Sequence, residues 1–355
     1  MISIIRGDEV EKWDGIVKSF KNYDVCYLNG YAKAFQINGD GEPLLFYYQG
    51  INTRAINVIM IRDIAISEAF NDVITIGTMF DVSTPYGYGG LWIEGSEYDE
   101  VNKAYDLFCR EYGFISEFVR FHLYSNAQAN YTGTTETRTH NVVRNLDLSI
   151  DEVFMDFEHK VRKNIKRAIC SDLRVEIDNT GDRLEEFLRI YYLTMDRSNA
   201  NENFYFTKEF FNQINKMMGN YMYIHVLHGE EIISSELILY GTENCYSFLG
   251  GTNKEYFNMR PNDLLKYEVI KWGKEKGLKR FILGGGYGED DGIFRYKKSF
   301  APNGIVDFYV GKKIINKDEY MKLINIKKKN VNVNDLNADL MDGFFPKYRD
   351  PSLLI

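Results

Sequence analysis

Apolar positions in the first half of the chain recur with two different periods. A three-to-four-residue spacing predicts amphipathic helices over residues 8–20, 28–37 and 97–112. β-Branched and aromatic runs predict strands at Leu44–Gln49, Ile56–Ile64, Val73–Phe80 and Ile115–Leu123. Residues Ser125–Thr139 are polar and rich in Gly, Thr and Asn, and read as a long loop.

The second half opens on a helix-start signal. Ser149-Ile-Asp-Glu152 is a capping box, in which the Ser hydroxyl takes a free amide and Glu152 reaches back to the cap. A helix to Cys170, a short strand Arg174–Ile177 and helices near 181–199 and 207–218 follow. Strands then recur at Tyr221–Leu227, Ile232–Tyr240 and Cys245–Gly250, with a helix over 262–277 and a strand Phe281–Leu283.

Both halves therefore share one order of elements: two helices, three strands, a helix and a strand. Turn-length links between the first three strands suit an antiparallel meander, and the strand after the helix suits a parallel crossover. The expected fold is α/β (α+β), with two tandem domains of similar pattern. The boundaries fall at 1–147 and 148–315, with residues 316–355 as a helix and a tail clamped at its aromatics, Phe344-Phe345-Pro346-Lys347-Tyr348.

Composition narrows the setting. The chain has 355 residues, enough for two domains, and 45% of them are hydrophobic, ordinary for a packed core. Its net charge of −8 lacks the basic footprint of a DNA binder. Cys26, Cys109, Cys170 and Cys245 are scattered without a Cys-x-x-Cys pair, as expected of reduced thiols and not of a zinc site. The N-terminus reads as no signal peptide, and no apolar run is long enough for a spanning helix, so the expected location is cytoplasmic. His225 and His228 stand three apart on a strand, face opposite sides and cannot share an ion, so no metal is expected.

The segment richest in candidate chemistry is FILGGGYGEDDGIFRYKKSFAP, residues 281–302. A strand leads into Gly284-Gly285-Gly286, where missing side chains allow positive φ and close approach of a ligand to the backbone. Glu289, Asp290 and Asp291 follow, and Lys297 stands six residues after Asp291. A carboxylate and an ammonium can thus face one cleft from the two ends of a short helix.

This strand–Gly-Gly-Gly–Asp-Asp–Phe-Arg-Tyr-Lys297 pattern resembles the C-terminal signature of the Fem family of aminoacyl and acyl transferases, within the acetyltransferase (GNAT) superfamily. Four further stretches are similar in order and spacing. They are Tyr191–Arg197 with Phe204-Tyr205-Phe206, Leu249–Thr252 through Arg260-Pro261-Asn262, the basic run Arg162–Ala168, and Asp81 through Tyr86-Gly87-Tyr88-Gly89-Gly90. Two features of the wider group are missing. No segment sustains the heptads of a coiled-coil arm, and Gly251–Asn262 lacks the Arg/Gln-x-x-Gly-x-Gly/Ala loop that cradles the diphosphate of coenzyme A.

The resemblance implies two GNAT-like domains and direct acyl transfer to an amine of a cell-envelope precursor, either a peptidoglycan precursor peptide or a nucleotide- or lipid-linked amino sugar. The donor is acyl-CoA or aminoacyl-tRNA, with no bound cofactor. Lys297 would stabilise the oxyanion and leaving group, while Asp291, or its neighbour Asp290, would orient the amine or accept its proton. Arg197 would grip a phosphate or carboxylate of the acceptor, and Tyr86, Tyr88 and Gly284–Gly286 would line the substrate groove. The alternative is a catalytically idle tandem fold that binds an envelope precursor or a partner protein.

Overall fold

The computed structural model describes residues 1–286, 291–330 and 340–351, with the side chains of 328–330 left aside. In chain order the strands are β1 Ile2–Arg6, β2 Glu42–Gln49, β3 Arg54–Asp63, β4 Phe80–Ser83, β5 Trp92–Glu94, β6 Ser116–Arg120 and β7 Thr134–Asn145. They continue as β8 Leu173–Asp178, β9 Tyr221–His228, β10 Glu231–Tyr240, β11 Asn244–Thr252, β12 Arg280–Gly284 and β13 Ile305–Ile314. The helices are α1 Val10–Ser19, α2 Asn29–Ile37, α3 Tyr98–Glu111, α4 Ile150–Asp156 and α5 His159–Ile169. After them come α6 Leu184–Ser198, α7 Lys208–Ile214, α8 Pro261–Glu275, α9 Gly292–Lys298 and α10 Lys317–Asn330.

The chain divides into two compact units that interleave in sequence. One comprises Met1–Phe20, Phe35–Arg138 and Phe308–Ile355, and the other Lys21–Ala34 and Thr139–Asp307. The sequence alone predicts a boundary at residue 147 and sets 316–355 apart. Two sets of interactions redistribute those segments. Asp24 is buried and accepts hydrogen bonds from Tyr246 Oη at 2.7 Å and Asn244 Nδ2 at 3.0 Å, which ties 21–34 to the second unit. Phe345 and Tyr348 are buried with Ile64, Phe70, Tyr320 and Leu323, which makes the tail part of the first unit's core.

Within each unit the strands repeat one plan. In the first, β1–β2–β3–β4 pair antiparallel, α3 follows, and β6 lies parallel to β4. In the second, β8–β9–β10–β11 pair antiparallel, α8 follows, and β12 lies parallel to β11. Each parallel strand then gains an antiparallel neighbour: β6 pairs with residues 310–314 of β13, and β12 with residues 142–145 of β7. Both units thus have the α/β architecture expected of tandem acetyltransferase-like domains.

Some elements differ from the sequence reading. The expected strand Val73–Phe80 shares only Phe80 with β4, because Val73 and Ile76 are exposed and find no core to cover. The polar stretch 125–139 is not all loop: β7 begins at Thr134, with Thr134, Thr135, Thr137 and Arg138 exposed at its start. The capping box forms as read, with Glu152 N donating to Ser149 Oγ at 3.3 Å and Ser149 N to Glu152 Oε2 at 2.8 Å.

Asp81 anchors the first unit. It is fully buried and accepts from Arg62 Nε at 2.7 Å, Arg349 Nε at 2.6 Å and Tyr348 Oη at 2.8 Å. Burial alone would raise its pKa, but Arg62 and Arg349 hold the carboxyl below the usual carboxylate range. A depressed carboxyl stabilises the fold above its unfolded pKa, and that contribution fades as pH falls below about 4. Asp81→Asn strands two guanidinium groups and should cost about 3–5 kcal/mol. Urea unfolding at neutral pH measures the loss, and the variant's stability should show a shallower decline with acid than the parent's.

Candidate functional site

The candidate site in the second unit begins where β12 ends. Gly284 has φ +82°, the left-handed region that an L side chain resists, and so turns the chain out of the sheet. Beyond it the turn is crowded. A Cβ on Gly285 would sit 2.9 Å from the His140 carbonyl oxygen, and one on Gly286 would sit 2.3 Å from Asp291 Oδ2. Three consecutive glycines are therefore a packing requirement.

Helix α9 starts at the far side of this turn. Asp291 is its N-cap, with Oδ1 accepting from Phe294 N at 2.7 Å, while Phe294 is buried in the core. The helix carries Lys297 back toward the glycines, where Nζ donates to the Gly285 carbonyl at 2.6 Å. Nζ also lies 3.3 Å from the position a Cβ on Gly284 would take. The turn Gly284–Gly286, Asp291 and Lys297 are thus brought together, and Asp290 lies outside the described residues.

Electrostatics set Lys297 apart from a surface lysine. Burial lowers its pKa to about 8, the nearby Lys266 ammonium pushes the same way, and Glu236 and Asp291 oppose. A lysine in this range gives up and regains a proton near neutral pH, as an acid–base group must.

Sequence reading missed the charges behind it. Lys266 Nζ donates to Glu236 Oε2 at 2.7 Å and to Ser247 Oγ at 2.7 Å, with both charged side chains 6% exposed. The signal was present as a Glu within IISSELILY and a Lys within LLKYEVI, each a charge at a core-facing position. Tyr296 is a further case. Its hydroxyl is buried with no hydrogen-bond partner among the described residues, and burial, Asp263 and Glu236 push its pKa up.

Arg197 lies in the same unit on α6. Nη1 donates to the Thr252 carbonyl at 2.9 Å, and the guanidinium sits 5.0 Å from the Phe257 ring centre, with the side chain otherwise exposed. Thr194 packs so tightly on β11 that a Cβ at Gly251 would lie 2.3 Å from its Oγ1. Tyr192 Oη donates to the Phe206 carbonyl at 2.8 Å and Tyr205 Oη to Asp196 at 2.9 Å, which joins the helix to the aromatic loop. On the basic helix α5, Lys160, Lys163 and Arg167 are exposed, whereas Arg162 Nη1 donates to the Met155 carbonyl at 2.8 Å.

Tyr86 and Tyr88 belong to the first unit. Tyr86 is exposed beside the Phe35 ring, and Tyr88 packs edge-on against Phe308 with 5.7 Å between ring centres. The two histidines have separate surroundings: His225 is buried with Nδ1 2.8 Å from Ser235 Oγ, and His228 is exposed near Tyr256.

The start of α8 carries its own acid. Pro261 occupies the first turn and has no amide hydrogen, and the carboxylate of Asp263, buried in that turn, accepts from Asn164 Nδ2 at 3.1 Å. Burial raises the Asp263 pKa, while hydrogen bonds from Asn164 and its own backbone amide oppose. Among the described residues, no helix is long and apolar enough to cross a membrane.

Comparison with known proteins agrees with this architecture. Residues 156–298 match the family described as acetyltransferase (GNAT) domain. The crystal structure of FemX superposes with a TM-score of 0.66 at 13% identity, over 91% of this chain and 99% of that one. L-PGS from Bacillus licheniformis superposes with a TM-score of 0.57 at 16% identity, over 88% of this chain and 94% of that one. A conserved protein from Bacteroides thetaiotaomicron does so with a TM-score of 0.58 at 11% identity, over 88% and 99%. No curated protein matches the chain in sequence. The chain thus shares the fold of these structures, with an acetyltransferase (GNAT) domain over residues 156–298.

The cap on α9 is testable by itself. Asp291→Ala leaves the Phe294 amide unpaired and should destabilise the second unit by about 1 kcal/mol, whereas Asp291→Asn, which keeps an acceptor, should cost less. Urea unfolding of both variants gives the comparison.

Proposed function

We propose that the chain transfers an acyl or aminoacyl group to an amine of a cell-envelope precursor, with Lys297 as the group that acts on the reacting carbonyl. The observation that carries this reading is the Lys297 ammonium held on the Gly285 carbonyl, with its pKa lowered to about 8, beside a glycine turn and the capping carboxylate of Asp291. The Fem-like fold supports it.

The chemistry needs no covalent enzyme intermediate. The acceptor nitrogen attacks the acyl carbon, a carbon–nitrogen bond forms, and the carbonyl oxygen becomes an oxyanion. Lys297 donates a hydrogen bond to that oxygen. As the carbon–sulfur or carbon–oxygen bond of the donor breaks, the leaving atom takes the electron pair and a proton from Lys297. The proton shed by the new amide nitrogen returns to the amine of Lys297. Asp291 orients the attacking nitrogen while capping α9. Arg197 holds a phosphate of a nucleotide- or lipid-linked acceptor, its guanidinium already aligned by the Thr252 carbonyl and the Phe257 ring.

Donor choice, acyl-CoA or aminoacyl-tRNA, is decided by assaying both against amino-sugar and peptide acceptors. With a working pair, Lys297→Met should lower kcat about 10²–10³-fold and leave KM nearly unchanged. Lys298→Met is the control, since the next helical residue points about 100° away. The parent should lose turnover above a pH of about 8, where Lys297 gives up its proton. A fully active Lys297→Met chain would favour the idle binding fold.

For Arg197→Ala, the expected effect is on the acceptor. Its affinity should weaken by about 1.5–3 kcal/mol, the range for a charge-assisted hydrogen bond. Titration calorimetry against a panel of nucleotide sugars reads it, and unchanged affinity for the true acceptor removes the assignment.

A further inference from the structure

Two polar residues of the first unit stand where its strands face the core. Ala55, Ile59 and Ile61 of β3 pack into that core, and Asn57, two residues from Ala55 and Ile59, faces the same way. On β6, Glu117 shares a face with Val119. Asn57 and Glu117 are each 1% exposed. They line one pocket together with Tyr105 of α3, Tyr131 and the apolar walls of Leu91 and Val119. Thr132, also in the lining, is exposed, so the pocket opens beside it. The space inside takes about one group the size of a water molecule.

The donors of this pocket are largely spent. Tyr105 Oη donates to Glu117 Oε1 at 2.6 Å and Tyr131 Oη to Oε2 at 2.9 Å, which uses both phenolic hydrogens. Asn102 Nδ2 donates to the Tyr98 carbonyl at 2.8 Å, and Thr132 Oγ1 to Asp106 at 3.0 Å. Acceptors remain. A carboxylate has about four lone-pair sites, so those two bonds leave Glu117 with capacity to spare. Asn57 Oδ1 is buried with no partner among the described residues. A buried acceptor left unmet is costly. Charge is poorly compensated as well. Lys313 opposes the burial of Glu117, but its Nζ already serves Asp106 and donates to Thr132 Oγ1 at 2.6 Å. Burial prevails, and the carboxyl is pushed up.

An occupant suited to these groups is positively charged, donates several hydrogen bonds and has a polar end no larger than a water. We propose that the pocket binds a primary ammonium head group, its N–H bonds directed at Asn57 Oδ1 and the Glu117 carboxylate. Its carbon stem leaves past Leu91 and Val119 toward Thr132. An alkali-metal ion has the same charge, but it cannot donate and gains nothing from apolar walls. The site lies within one unit and does not rest on the transferase reading.

The test uses the full chain, with methylammonium chloride as the probe. The thermal midpoint is followed against increasing probe while sodium chloride keeps the ionic strength constant. It should rise and saturate, as for a ligand that binds only the folded chain. Potassium chloride and tetramethylammonium chloride, which carry the charge without an N–H, should leave it unmoved. In the methyl-labelled chain, nuclear Overhauser contacts should run from the probe's methyl group to those of Leu91 and Val119. Asn57→Leu, close in volume, removes one acceptor and should raise the half-saturating concentration about tenfold, the effect of one hydrogen bond to a charged group. Glu117→Gln should abolish the response. If either variant fails to fold, the parent's response to the salts and its methyl contacts still decide. No saturable rise, which leaves the pocket to an ordered water, overturns the proposal. So does an equal rise with potassium, or contacts from the probe to methyl groups elsewhere.

Discussion

The glycine turn and helix α9 of the second unit meet in a single hydrogen bond, from the Lys297 ammonium to the carbonyl oxygen of Gly285. For that carbonyl to be available, the chain must leave β12 with positive φ at Gly284 and pass Asp291 without a side chain at Gly286. For the ammonium to reach it, α9 must begin where it does, which the Asp291 cap and the buried Phe294 ring ensure. Each glycine, the cap and the aromatic anchor are thus conditions on one contact. The cost is a desolvated lysine, and a pKa of about 8 is the form that cost takes.

Buried charge recurs in both units, and its partners show what it does. Asp81 meets Arg62 from its own sheet and Arg349 and Tyr348 from the end of the chain, so the ion cluster joins segments far apart in sequence. Glu117, also buried, accepts from Tyr105 at 2.6 Å and Tyr131 at 2.9 Å, and burial pushes its carboxyl up. Those two clusters tie strand to tail and strand to helix. The Glu236–Lys266 pair likewise ties a strand to a helix, and Ser247 completes it.

The parts of this molecule legible in sequence are those with a local cause. The capping box at Ser149, the meander Tyr221–Gly250 and the helix before Phe281 are written in short-range patterns of apolar spacing and turn residues. The cluster of Gly284–Gly286, Asp291 and Lys297 was legible because it is contiguous. Strands β1 and β13 and the start of β7 were not, since their residues alternate weakly and are held by partners distant in sequence, such as Leu44–Tyr48 for β1. The assignment of Lys21–Ala34 to the second unit turns on Asp24 finding Asn244 and Tyr246, about 220 residues away. Glu236 and Lys266 went unread, since a charge at an apolar position names no partner by itself.

The start of α8 differs from a helix N-terminus left open to an anion. A helix N-terminus attracts a diphosphate through amides left unpaired by the first turn and through its positive dipole end. Here Pro261 removes one of those amides, and Asp263 brings its own carboxylate into the turn, backed by Asn164. An incoming anion would have to compete with a buried carboxyl whose raised pKa already marks a crowded, poorly hydrated position. Arg260, with φ +62° and a buried Nε lacking a partner among the described residues, adds a cation at the edge of the same turn. Its charge is faced by Asp263 and is therefore partly spent. The first turn of α8 is therefore occupied by the chain's own groups, an imide nitrogen, a carboxyl and the guanidinium that faces it.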